Sequence, residues 1–402
     1  MALTVRRSKG VIVEYNGGGI AFDPSSKTSA YPAFITHAHA DHAGAFKNPE
    51  IVKYATEPTY RLLETLRWKN LQNWRPISVG DVVKMGDLEV RVHNAGHVLG
   101  SVQFEVRTPE GTVLYTGDFS LGNSYTMEAA PAVGCDLLVI ETTFGAPMFK
   151  FPKRKDVAME MVRWAVMEAI PAGRVPTFRA DSIGNAQEII SLFNSLTNLP
   201  VVTSKSATRV SDVYRAHGHD LDYVDADSPE GRELIESGKC ALIAPKGAKL
   251  KYENLDTALA SGWAAIMKRR SRAFPLSDHA DFRELISFIR RCRPKRVLTF
   301  HGGAMTRGFP EYVRTRLKRD ARPLTSREET MMGPVSHGET RMKACVEQLV
   351  RAIRIPGFEY SSPWLVKEMA RRGFTRSETE VALRHIIERN VVEQTPTGVK
   401  LS

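Results

Sequence analysis

Thr36-His37-Ala38-His39-Ala40-Asp41-His42 follows the apolar run Tyr31-Pro32-Ala33-Phe34-Ile35 and leads into Ala43-Gly44. Four metal-capable side chains within six residues cannot fill the interior of an apolar strand, but they suit the loop at its end. In an extended segment residues i and i+2 point the same way, so His37 and His39 can place two imidazole nitrogens on one ion while Ala38 turns aside. If the chain then turns helical, Asp41 and His42 come round to serve a second ion beside the first.

The 402 residues suit two or three domains, and 42% apolar content is ample to bury their cores. A net charge of +11 and a pI near 9.5 favour a polyanionic partner such as nucleic acid. Cys135, Cys240, Cys292 and Cys345 form no CxxC pair and read as reduced, buried thiols of a cytoplasmic protein. No apolar run approaches about 18 residues and no signal-peptide core is present, which argues against a membrane role.

Working outward from the histidine cluster, polar residues recur where strand-like runs end. Asp23 closes Ile20-Ala21-Phe22, His97 lies in the loop Asn94-Ala95-Gly96-His97-Val98-Leu99-Gly100, and Asp118 follows Val113-Leu114-Tyr115-Thr116-Gly117. Glu141 ends Leu137-Leu138-Val139-Ile140, and His301 ends Arg296-Val297-Leu298-Thr299-Phe300. His279 sits in Leu276-Ser277-Asp278-His279-Ala280-Asp281, just ahead of an amphipathic helix from Phe282 to Cys292. One such residue is most often a turn former or a cap; several together place one edge of a sheet around a site. His93, His217, His219, His337 and His385 lack this setting and read as ordinary surface or core residues.

From about residue 153 helices and strands alternate. Asp156 to Ile170 reads as helical, Arg174 to Phe178 as extended, Asn185 to Leu196 as helical and Pro200 to Thr203 as extended, the pattern of an inserted α/β segment with a parallel sheet. Within it, Ser182 and Gly184 open a helix where a phosphate could rest on free amides, with Arg179 nearby; an ordinary helix cap explains the same residues. Residues 340 to 402 read as three helices followed by a hairpin around Pro396-Thr397-Gly398, the pattern of a winged helix. Its third helix, with Arg376, Arg384, His385 and Arg389, would then face nucleic acid; a dimerisation or docking module, and hence a homodimer, is the competing reading.

With these motifs in order, residues 10 to 330 resemble the metallo-β-lactamase superfamily and, within it, the β-CASP nucleases. The resemblance implies an α/β fold: an αββα sandwich built from residues 1–150 and 266–335, a β-CASP insert at 151–265 and the winged-helix-like unit at 340–402. It implies one zinc on His37, His39, His97 and Asp118 and a second on Asp41, His42, Asp118 and His301, with manganese as the alternative metal. Asp23 would be the carboxylate that orients a ligand, and His279 the general acid, oriented by Glu141. The implied reaction is hydrolysis of phosphodiester bonds in RNA or single-stranded DNA by a hydroxide that the two zinc ions activate. His301 leans toward the RNA-processing members; the short insert and Ser261-Gly262-Trp263 resemble ligase-associated DNA exonucleases and their Artemis-like cousins. The residue after Gly184 departs from the family, which often has Arg where this chain has Asn185. A nucleic-acid-binding subunit with a silent site would have lost ligands, and none is missing here.

Overall fold

The computed structural model describes residues 3–25, 31–69, 71–267, 272–324, 329–332, 339–353, 358–372, 374–389 and 391–401, so His337 lies outside the described residues. Two compact units emerge, Leu3–Met331 and a second made mainly of Met332–Ser402.

The larger unit is built on two seven-stranded sheets. In the first, Leu3–Arg7, Val11–Tyr15 and Gly18–Phe22 form an antiparallel meander, and Ala33–Phe34, Lys53–Thr56 and Trp74–Ile77 continue it in parallel, with Glu329–Met332 on the other edge. In the second, Val82–Met85, Leu88–Asn94, Val102–Thr108 and Gly111–Tyr115 run antiparallel, then Leu137–Glu141, Arg296–Phe300 and Asp320–Pro323 add in parallel. The sheets meet face to face through aromatic rings. Phe22 stacks on Phe104 and Tyr115 with centroids 5.4 and 4.9 Å apart, and Phe34 meets Phe104 edge-on at 5.4 Å. Helix Glu57–Thr65 covers the outer face of the first sheet through Leu62 and Leu63, packed with Ile35, Phe46 and Ala55. Helix Phe282–Cys292 covers the second through Leu285, Phe288 and Ile289, against Leu114, Ile140 and Val297. This is the αββα sandwich expected from the sequence.

Between Leu137–Glu141 and Phe282–Cys292 the chain makes a third sheet, wholly parallel, in the order Val224–Asp225, Val201–Thr203, Ala241–Pro245, Val175–Ala180, Leu255–Ala260 and Ala273–Phe274. Its central strands Val201–Thr203, Ala241–Pro245 and Val175–Ala180 are largely buried because helices Arg154–Trp164, Asn185–Leu196 and Lys205–Ala216 pack on the sheet. The smaller unit has helices Glu339–Ala352, Ser362–Arg371 and Arg376–Glu388 and a three-stranded antiparallel sheet in the order Glu359–Ser361, Gly398–Leu401, Val392–Gln394, around its own core of Leu349, Leu365, Met369 and Ile386. Among the described residues no helix is long and apolar enough to cross a membrane.

Candidate metal centre

Parallel strands bring their carboxyl ends to one edge, and in open α/β sheets that edge is where sites form. Here both sheets contribute. Asp23 follows Gly18–Phe22, Thr36 to His42 follow Ala33–Phe34, and His97 follows Leu88–Asn94. Asp118 follows Gly111–Tyr115, Glu141 ends its strand, and His301 follows Arg296–Phe300. The step into Asp118 requires glycine: Gly117 has φ +53°, and a Cβ there would lie 2.6 Å from the Thr36 side chain.

His37, His39, His97 and Asp118 bring one ligand atom each to within 4.8 Å of one another. His37 Nε2 and His97 Nε2 lie 3.0 and 3.2 Å from His39 Nδ1, and Asp118 Oδ2 lies 3.7 Å from His37 Nε2. Those separations match the edge of a tetrahedron around a zinc bound at about 2.0–2.1 Å, roughly 3.3 Å. A second group shares Asp118: its Oδ2 lies 3.3 Å from His42 Nε2 and its Oδ1 3.4 Å from His301 Nδ1. His42 Nε2 and Asp118 Oδ1 are buried with no hydrogen-bond partner, an expensive arrangement for a protein interior and the expected one for atoms that hold a cation. The donor set, imidazole and carboxylate without thiolate, suits zinc. Asp41 reaches only the rim. Its Oδ2 is 3.7 Å from His42 Nε2 and its side chain is 73% exposed.

The protonation states of the first group agree, whereas in the second burial is outweighed by Asp118 and Asp23, which raise His42 well above the usual histidine value, so that a metal there would displace its proton. Burial, then the neighbouring imidazoles His42, His97 and His39, hold His37 well below the usual histidine value; burial and His97 depress His39 to about 4. Both are therefore neutral, with lone pairs free for a metal. Burial alone would raise Asp118, but His42 and His301 hold it well below the usual carboxylate range.

A supporting layer orients these ligands. Asp23 Oδ2 accepts from His42 Nδ1 at 2.7 Å, from Thr36 Oγ1 at 2.7 Å and from the Tyr115 hydroxyl at 2.9 Å, while the Thr36 amide donates to Oδ1. Its carboxylate fixes the His42 tautomer so that Nε2 faces Asp118. On the other side, His97 Nδ1 is 2.9 Å from the Asp278 carbonyl oxygen, its hydrogen-bond partner there. Thr36, Tyr115 and Asp278 were not singled out from the sequence. Hydroxyls are too common to stand out, but Thr36 adjoins His37, and Asp278 lies inside the motif that carries His279.

His279 sits beside the ligands His97 and Asp118 and is oriented by Glu141, which is wholly buried. Glu141 Oε1 lies 3.0 Å from His279 Nδ1, and its other oxygen accepts from the Thr143 amide. Burial works against a charged His279, but the Glu141 charge and hydrogen bond overcome it and raise the imidazole to about 10. His279 also lines a cavity of about 300 Å³ together with Ser120, Lys153, Arg154 and Arg283, and its Nε2 lies 3.8 Å from Asp278 Oδ1. Asp281, in the same motif, caps helix Phe282–Cys292: its Oδ1 accepts from the amides of Arg283 and Glu284.

The suspected phosphate contacts are differently placed. Gly184 has φ +91°, its amide donates to Gln187 Oε1 at 2.9 Å, and a Cβ there would meet Asp278 Oδ2 at 2.4 Å, so the helix start lies against the motif of His279. Ser182 Oγ is 3.3 Å from Ser206 Oγ. Arg179 Nη1 donates to the carbonyl oxygens of Pro245 and Ala248, which ties it to its own sheet. His93 pairs with Glu105 and His217 with Glu57, away from the ligand clusters.

Residues 33–158 match the Metallo-beta-lactamase superfamily and residues 267–322 match the Zn-dependent metallo-hydrolase RNA specificity domain. The chain is 31% identical to a probable DNA ligase of Opitutus terrae over 68% of this chain and 27% of that one. It is 30% identical to RNase aCSPSF2 of Saccharolobus solfataricus, over 65% of this chain and 55% of the relative. It is 26% identical to the 5' exonuclease Apollo of Gallus gallus, over 70% and 61%. The chain thus spans about a quarter to three fifths of these curated relatives. A protein of unknown function from Enterococcus faecalis V583 shares the fold with a TM-score of 0.59 at 15% identity, covering 82% of this chain and 99% of that one.

Proposed function

Since the chain belongs to the metallo-β-lactamase superfamily, in its β-CASP nuclease branch, we propose that it hydrolyses phosphodiester bonds of single-stranded nucleic acid, with RNA slightly ahead of DNA as the substrate. The observation that carries this reading is the shared Asp118, with imidazoles on both of its oxygens and a separate acid, His279, beside it. Two divalent ions, zinc by donor set, would be held by His37, His39, His97 and Asp118 and by His42, Asp118 and His301, with Asp41 at the rim. Bound there, they would neutralise phosphate oxygens and lower the pKa of the attacking water from about 15.7 toward about 7.

The chain's own residues supply the rest. His279, raised to about 10, would carry the proton that the leaving oxygen needs; Glu141 engages its Nδ1 and leaves Nε2 as the nitrogen to deliver it. Asp23, Thr36 and Tyr115 keep His42 from rotating. The relatives named above include both RNA- and DNA-directed proteins, which leaves a repair-type DNA exonuclease as the second reading. The smaller unit, three helices and an antiparallel sheet with Arg384 exposed on the third helix, supports the winged-helix reading. Matched RNA and DNA oligonucleotides, each labelled at either end, test the reading. Cleavage of RNA by the intact protein and its loss in His279→Ala are expected; DNA cleavage alone selects the repair reading, and no cleavage of either refutes both.

A further inference from the structure

Two cavities open beside the centre and share no lining residue. One carries His279, and the other, about 210 Å³, is walled by Asp41, His42, His301, Arg7 and Lys9. The second runs on into a larger groove of about 690 Å³ that shares Arg7, Lys9, Phe300 and His301 with it and adds Arg307, Thr142 and Thr306. Arg7, Lys9 and Arg307 are exposed. The acids of this wall are accounted for: Asp23 is consumed by His42, Thr36 and Tyr115, and Asp41 sits at the metal end. Beyond His301 the lining charges are cationic only.

We propose that this groove is a strand-binding track: the part of a single-stranded polynucleotide that keeps the scissile phosphate leaves the centre past His301, its backbone phosphates on Arg7, Lys9 and Arg307. The proposal rests on the phosphodiesterase reading, which puts the leaving oxygen at His279 and hence in the other cavity. A chain that crosses the centre would then leave along the wall that carries His301. Three cations spread along a groove, without a closed pocket, suit a repeating anion better than a single small phosphate. The contacts would be to phosphates and so would carry no base preference.

The test measures binding apart from turnover. Fluorescence anisotropy of a labelled 20-mer is followed on Asp118→Ala protein with and without Arg7→Glu and Arg307→Glu together. Each phosphate contact to a single strand contributes about 0.7 to the slope of log K against log salt, so losing two should make the slope shallower by about 1.4 and weaken binding at low salt by more than about tenfold. The gentler pair Arg7→Gln and Arg307→Gln should move both in the same direction by less. Circular dichroism and melting temperature of the Arg7→Glu, Arg307→Glu protein should match the parent, so that a change in slope is not one of folding. An unchanged affinity and salt slope overturns the track, as does a parent protein that binds no oligonucleotide. A parent that binds with the expected slope but never hydrolyses a phosphodiester overturns the catalytic reading alone.

Discussion

Replacing Glu141 by Gln removes one negative charge and keeps the shape of a fully buried side chain, so its effect falls on His279. Glu141 raises that imidazole to about 10 against a burial penalty. Without the charge, the value should fall to about 6.5, a loss of about 5 kcal/mol in preference for the protonated form at about 1.36 kcal/mol per unit. At pH 8 the acid form would drop from nearly complete to about 3%, and at pH 6 only to about three quarters. Cleavage of an oligonucleotide under single-turnover conditions should therefore fall about 30-fold at pH 8 and less than about twofold at pH 6. In parallel, the His279 ring titration followed by NMR in metal-free protein should move down. Profiles for parent and variant that run parallel from pH 6 to 9, or an unmoved His279 titration, would refute the assignment of Glu141 as the group that keeps His279 charged.

The remaining expectations follow from the same contacts. Asp118→Ala removes the ligand common to both clusters, so turnover should be lost while oligonucleotide affinity changes only a few-fold, read by gel assay and anisotropy. Asp23→Ala frees His42 to rotate and should weaken metal affinity on that side by about 10- to 100-fold, measured by calorimetric titration. Gly117→Ala combines φ +53° with a 2.6 Å approach to Thr36 and should cost about 1–3 kcal/mol or more, visible as a lowered melting temperature. Because His279 is raised in the folded state, its pair with Glu141 stabilises the metal-free fold fully below about pH 6.5 and loses that contribution as the pH climbs through about 10. Denaturant unfolding of parent and Glu141→Gln protein should accordingly differ most at low pH and converge above pH 10.

Much of the site was legible because its chemistry conflicts with its surroundings. A histidine or carboxylate at the end of an apolar run is a poor core residue, and seven such positions now lie at strand ends of the two facing sheets: Asp23, His37, His39, His97, Asp118, Glu141 and His301. The parallel sheet of the insert was legible for a similar reason, since helical and extended periodicities alternate there. Short elements were not. Ala33–Phe34 falls inside the strand-like run 31–35, but Ala273–Phe274 is a two-residue strand that only its neighbours define, and Trp74–Ile77 contains Pro76, which propensity would keep out of a strand. The helical turn expected after His39 is a tight 3₁₀ turn at Ala43–Lys47, and the helix expected to run unbroken to Ile170 widens into a π turn at Ala165–Ala169. Arg179 lies near the helix start proposed from the sequence as a phosphate site; the carbonyl oxygens of Pro245 and Ala248 that engage it lie more than 60 residues away in sequence, beyond any local pattern. Tyr115 escaped for the same reason: its partner Asp23 is 92 residues distant.

The measurement closest to the central claim is a zinc titration of metal-free protein in which occupancy, by native mass spectrometry, and oligonucleotide cleavage are read from the same samples. Two ions per chain are expected, with cleavage that appears with the second equivalent and loss of one ion in His301→Ala. Full cleavage with one ion bound, or two ions still bound after Asp118→Ala, would contradict these expectations.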